Sequence, residues 1–174
     1  MTNHRPQAII RPVHILIDTR EQTPYRFDPP RYNVSTASAA LPAGDYSLPG
    51  FEARVAVERK TLEDLVACLK GKNRERFERE LARGRPYDLF VVVVEASMAD
   101  VAQGRYRSDM KPHAVLQSLF AFQVRYGVAF LWAGDRAGGE YATHSLLAKY
   151  LYEIDQRVRT ARRGQSQPQA ATKD

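Results

Sequence analysis

Leu89-Phe90-Val91-Val92-Val93-Val94 is a run of six apolar residues without a polar one among them. A strand with one face in water alternates apolar and polar side chains, whereas an unbroken β-branched run is the pattern of a strand covered on both faces. Such a strand belongs at the centre of a sheet with helices above and below it. Glu95 ends the run. Beyond it, Ala96 to Gln103 reads as a short helix and Gly104 to Met110 as a polar loop. Pro112 opens a helix through Arg125 with Val115, Leu116, Leu119, Phe120 and Phe122, stopped by Gly127. Val128 to Trp132 reads as a second buried strand. Ala142 to Arg159 reads as a final helix, with Leu147, Leu151, Ile154 and Val158 at alternating four- and three-residue spacing.

Before the valine run the chain carries Val13 to Asp18, a strand ending in a carboxylate, and a proline-rich stretch from Glu21 to Arg31 that reads as an exposed, partly extended loop. Tyr32 to Thr36 reads as a short strand. The segment through Tyr46 and Leu48 and the segment Glu52 to Lys60 are joined by a Pro49-Gly50 turn, which predicts a hairpin. Thr61 is placed to cap a helix, with Asp64 three residues on and Leu62, Leu65, Val66 and Leu69 as its apolar stripe. Lys72 to Arg83 is a second helix with Phe77 and Leu81 facing inward. Strands alternating with helices, plus one hairpin, predict an α/β or α+β domain with a mixed sheet between helices.

The 174 residues amount to one domain, and 44% hydrophobic with 26% charged residues is ordinary for a globular core. Lys and Arg outnumber Asp and Glu by 26 to 20, a net charge of +6 that favours an anionic partner, nucleic acid first. The single cysteine, Cys68, excludes a disulfide framework and a cysteine-ligated zinc site. It reads as a buried, inert thiol in a reducing compartment. No apolar run has the length of a signal peptide or a membrane span. The expected organisation is a flexible N-terminus over 1–12, one domain over 13–160 and a disordered basic tail over 161–174, intracellular and cytoplasmic.

Asp18, Asp45 and Glu58 stand at strand ends or turns, where the functional side chains of open sheets gather. The period of two puts Glu58 and Lys60 on one face of their strand and Val55, Val57 and Arg59 on the other. Carboxylates beside a lysine suit phosphodiester hydrolysis. Oxygen ligands hold a hard ion such as magnesium, and the lysine positions the nucleophile or stabilises charge on the phosphorane. The spacing of Glu58 and Lys60 alone is more often that of a solvated strand.

Context changes the weighing. Gly44-Asp45-Tyr46, then Glu58-Arg59-Lys60 followed by Asp64, with Asp18-Thr19-Arg20-Glu21 upstream, resembles the nuclease domain of XPF-type structure-specific endonucleases, within the PD-(D/E)xK superfamily. The family signature is Gly-Asp, a spacer, Glu-Arg-Lys, three residues and Asp, and the resemblance extends from about Val13 to about Val158. It implies a restriction-endonuclease-like mixed central sheet flanked by helices, and a magnesium-dependent DNA endonuclease, with manganese able to substitute. Branched or flapped DNA met in repair, recombination or replication would be the substrate. By position, it implies Asp18, Asp45 and Glu58 as metal-binding carboxylates and Lys60 as the catalytic lysine, with Glu21 and Arg59 in the same motifs. Arg59 faces away from Lys60 and is expected to brace the motif through Asp64 or Glu21. Asp64 is explained as a helix-capping acid, and Glu95 as a strand-end acid or a support behind the site.

Family members commonly carry a helix-hairpin-helix module and some a helicase domain, so a stand-alone nuclease domain is the expectation here. If bacterial or phage, it would associate with the nucleoid. Arg20, Lys72, Arg74 and Arg76 are the candidate DNA contacts, the alternative for the last three being a solvated helix laced with ion pairs. Leu147, Leu151 and Ile154 are the candidate seam of a homodimer or of pairing with a second chain, the alternative being core. A non-catalytic DNA-binding or scaffold relative and a small-molecule phosphohydrolase are the competing functions. The four histidines show no ligand spacing. The glycine-rich Gly134 to Gly139 lacks the Lys-Ser/Thr of a phosphate loop and reads as a flexible connection.

Overall fold

A computed structural model describes residues 12–165. The expected flexible start and the tail beyond 165 lie outside the described residues. The valine run is strand β5 (Leu89–Val94), buried almost throughout, as a run without alternation requires. It pairs in parallel with β4 (Val55–Lys60) on one side and β6 (Ala129–Trp132) on the other. β4 pairs antiparallel with the two-residue β3 (Tyr46–Ser47), which is the predicted hairpin. β3 pairs antiparallel with β1 (Val13–Asp18), and β1 in parallel with β2 (Val34–Ala39) at the edge. The order is β2-β1-β3-β4-β5-β6, a mixed six-stranded sheet.

Alternation along the strands divides the core in two. Val91 and Val93 of β5, Val55 and Val57 of β4 and Ile15 of β1 pack under α5 (Arg136–Gln165). Phe90, Val92, Val94 and Ala56 face the opposite layer, formed by α1 (Leu62–Ala67), α2 (Gly71–Gly84), α3 (Met98–Ala102) and α4 (Pro112–Tyr126). Thr61 caps α1 by accepting the Asp64 N–H, as its sequence predicts. Phe77 and Leu81 bury one flank of α2, Phe77 meeting Phe122 of α4 edge-on at 6.0 Å.

Four expectations change. The stretch from Glu21 to Arg31 is extended but not wholly exposed: Tyr25 and Phe27 alternate inward, Tyr25 stacking on Tyr46 and Phe27 meeting Tyr32 edge-on, while Arg26 and Asp28 stay in water. Glu140 of α5 fixes the stretch by accepting the N–H groups of Arg26 and Phe27. The glycine-rich segment is no flexible connection, because the helix starts at Arg136 and takes in Gly138 and Gly139, with Asp135 accepting the Gly138 N–H at 2.7 Å. A Cβ on Gly139 would collide with the Tyr25 hydroxyl, so the glycine is what lets α5 approach that ring. α5 also continues past Arg159 to Gln165. Leu147, finally, is fully buried against the sheet and is core, whereas Leu151 and Ile154 are half-buried at the rim.

Candidate active site

Asp45 lies in the turn leading into β3. Gly44 before it has a φ of +75°, and a Cβ there would stand 2.9 Å from the Ala56 Cβ. Only glycine accepts both the left-handed backbone and that approach, which lays the turn across β4. The Asp45 N–H then donates to the Val57 carbonyl at 2.8 Å, its Oδ2 accepts the Arg59 N–H at 2.7 Å, and its carbonyl accepts the Asp18 N–H at 2.8 Å. The Gly-Asp pair is therefore a clamp between β1 and β4 that presents one carboxylate.

Glu58 and Lys60 project from β4 toward the α2 layer, as the period of two predicts, and the Lys60 ammonium rests on Glu58 Oε1. Glu58 is only 3% exposed. With Asp18, Asp45 and Arg20 they line a polar cleft of about 200 Å³. Its remaining wall comes from α2, where Arg76, Glu80 and Arg83 fall on one side of the helix at spacings of four and three.

Burial sets the electrostatics. It lifts the Asp45 carboxyl to about 6, a rise opposed by the Arg59 N–H and by Lys60. It holds Glu58 well above the ordinary carboxylate range, Lys60 opposing and Asp45 and Glu80 reinforcing. Burial alone would lower the Lys60 ammonium, but Glu58 and Glu80 outweigh it and keep the proton on. For Asp18 the burial is overcome by the Arg20 side chain and the Leu41 N–H, and its carboxyl stays below the ordinary value.

On the opposite face of β4, Arg59 donates to Glu21 at 3.2 Å and to Glu95 at 3.1 Å, all three side chains being under 10% exposed. Arg136 of α5 reaches the same Glu95. Bracing through Glu21 is thus realised, with Glu95 in place of Asp64, which bonds the Thr61 hydroxyl instead. Arg59 and Glu21 hold β4 from behind and do not line the cleft. Arg74 also leaves the site: it donates to Glu78 and Ser118 and lies 4.7 Å over the Phe122 ring, fastening α2 to α4. Lys72 is exposed at the start of α2, while Arg20 and Arg76 reach the cleft.

Sequence reasoning missed Glu80 and Arg83. Their signal was present in the helical spacing from Arg76, on the flank beside the inward-facing Phe77 and Leu81. Among the described residues no three His, Cys, Asp or Glu side chains stand in ready ligand geometry. The donor set nevertheless fits a hard divalent cation, since it offers oxygens alone and crowds Asp45, Glu58 and Glu80 into mutual repulsion. Among the described residues no helix is long and apolar enough to cross a membrane.

Residues 17–139 match the ERCC4 domain. Among solved structures, the chain is similar to XPF from Aeropyrum pernix at 22% identity and a TM-score of 0.60, covering 92% of this chain and 67% of that one. It is also similar to XPF from Aeropyrum pernix in complex with DNA, at 25% identity and a TM-score of 0.60, covering 81% and 66% respectively. The chain thus spans about two thirds of the length of these structures. No curated protein matches it. The fold is the restriction-endonuclease-like mixed sheet flanked by helices that the family resemblance implies.

Proposed function

The chain belongs to the ERCC4 domain family, and from that premise we propose that it is a metal-dependent, structure-specific DNA endonuclease domain that hydrolyses phosphodiester bonds in branched or flapped DNA. The observation that carries the reading is the cleft in which buried Glu58 and half-buried Asp45 and Lys60 meet Arg20, Arg76 and Arg83. Asp45 and Glu58 would hold magnesium, with manganese as a substitute. When bound, the ion neutralises phosphate charge and makes water a better nucleophile.

Lys60, kept protonated by its acidic neighbours, is a poor general base. Of its two roles, charge stabilisation at the phosphorane is favoured over activation of the nucleophile. The guanidinium groups at the rim receive phosphates of the substrate strand and set its register. That the DNA complex in the comparison is of an XPF supports DNA as the partner. The setting would be repair, recombination or replication inside the cell, at the nucleoid if the host is bacterial. We also assign the flank of α5 around the half-buried Leu151 and Ile154 to pairing with a second copy or second chain. Light scattering should then show wild type as a dimer and a Leu151→Glu/Ile154→Glu variant as a folded monomer.

Labelled flap, fork, four-way junction and linear duplex DNA, each with magnesium, manganese or EDTA, test the reading. Cleavage of the branched substrates with either metal and none in EDTA is expected. Binding without cleavage in every case would make the chain a scaffold relative. Turnover of bis(p-nitrophenyl) phosphate but of no DNA would make it a small-molecule phosphohydrolase.

A further inference from the structure

An ionised carboxylate has about four lone-pair positions. In Asp18 all four are taken: Oδ1 accepts the Arg20 N–H at 2.8 Å and Arg20 Nε at 2.6 Å, while Oδ2 accepts Arg20 Nη2 at 3.0 Å and the Leu41 N–H at 2.7 Å. A cation could reach this carboxylate only by breaking a bidentate arginine pair and a buried backbone bond. Asp18 is built to hold Arg20 and the strand of chain at Leu41.

Glu80 is its converse. Its side chain lines the same cleft as that of Glu58, and among the described residues it forms no ion pair with a lysine or arginine within 4.0 Å. Phe77 and Leu81, both buried, lock the turn of α2 that carries it. Glu80 therefore stands at a fixed height over β4, facing Glu58 and near Asp45. The turn before β3, strand β4 and helix α2 each contribute one of these three carboxylates to the same cleft.

We propose that Glu80, and not Asp18, is the third carboxylate of the metal set with Asp45 and Glu58, and that Asp18 is a positioning residue for Arg20. The inference rests on the nuclease reading and extends it to the helix wall. Arg76 and Arg83, one turn to either side of Glu80, then place phosphate-binding groups on both flanks of the ion.

Titration of manganese into DNA-free protein, with free ion followed by electron paramagnetic resonance, tests this without reference to activity. Glu80→Gln should weaken binding by about tenfold or more, as loss of a charged ligand does, and Asp18→Asn by no more than about twofold. In EDTA, Glu80→Gln should melt no lower than wild type, because it removes a like charge; a merely structural residue would lose stability. Unchanged manganese affinity in Glu80→Gln, with affinity lost in Glu58→Gln, would overturn the assignment while leaving the nuclease reading intact. Unchanged affinity in Glu58→Gln as well would overturn both. Glu80→Gln is a clean test of the helix carboxylate, since the residue is half-buried and glutamine keeps its shape, and a loss of affinity in Asp18→Asn as large as in Glu80→Gln would overturn the role given to Asp18.

Discussion

Replacing Asp45 by Asn removes one charge from the cleft and keeps an oxygen to accept the Arg59 N–H, which lies 2.7 Å away. In the metal-free protein burial holds Asp45 at about 6 against an ordinary 3.8. That gap corresponds to about 3 kcal/mol, and partial access to water brings it to about 1–3 kcal/mol. Its sign follows from proton counting. Between the two values the folded protein keeps a proton that the unfolded chain has released. The contribution to stability is fully present below 3.8 and is lost as the pH rises through about 6.

Asparagine has no such proton to lose. Asp45→Asn should therefore melt about 2–12 °C above wild type near pH 8 in EDTA, for a domain of this size. Near pH 4 the two should melt together. Thermal unfolding followed by circular dichroism at both pH values measures the difference, and excess magnesium near pH 8 should narrow it by stabilising wild type more than the variant. An offset of the same size at both pH values would refute the electrostatic account of Asp45.

Lys60→Ala should lower turnover by about 10²–10³-fold while changing DNA affinity little, because the charge it answers develops in the transition state; single-turnover kinetics beside a binding isotherm separate the two. Arg59→Ala leaves Glu21 and Glu95 buried with their main partner gone and should cost about 3 kcal/mol or more in urea unfolding. Arg76→Ala/Arg83→Ala should make the dependence of log K for DNA on log salt shallower by about 2, whereas Arg74→Ala should leave that slope alone and lower stability, since Arg74 binds α4. Glu58→Gln should abolish cleavage with DNA binding retained, as read by gel shift beside the cleavage assay.

What the sequence made legible follows a physical line. β5 could be read because six apolar residues in a row have one good solution, and the hairpin because Pro49-Gly50 interrupts two β-rich segments. The opposite facing of Arg59 and Lys60 follows from strand geometry alone, and so was available without coordinates. Glu80 was not found, because on a helix crowded with arginine and glutamate only its place one turn from Arg76, beside the inward-facing Phe77 and Leu81, sets it apart from a solvated acid. Arg74 misled for a related reason: nearness in sequence to Lys60 says little once α2 has rotated that side chain onto Phe122. The length of α5 was underestimated because Gly138 and Gly139 disfavour helix by intrinsic propensity, a preference overridden by the close packing on Tyr25.

The hairpin between Asp45 and Glu58 bears on how such a chain can change length over evolutionary time. Its outer turn, with Pro49, Gly50, Ala53 and Arg54 exposed, can absorb inserted or deleted residues at small thermodynamic expense. β4 itself cannot absorb even one, because a shift by a single position would turn Arg59 into the cleft and send Glu58 and Lys60 to the bracing side. Insertions should therefore be tolerated in the turn and inactivating in the strand. A spacer of variable length between the Gly-Asp pair and an invariant Glu-Arg-Lys is the pattern that this asymmetry would leave in any set of descendants.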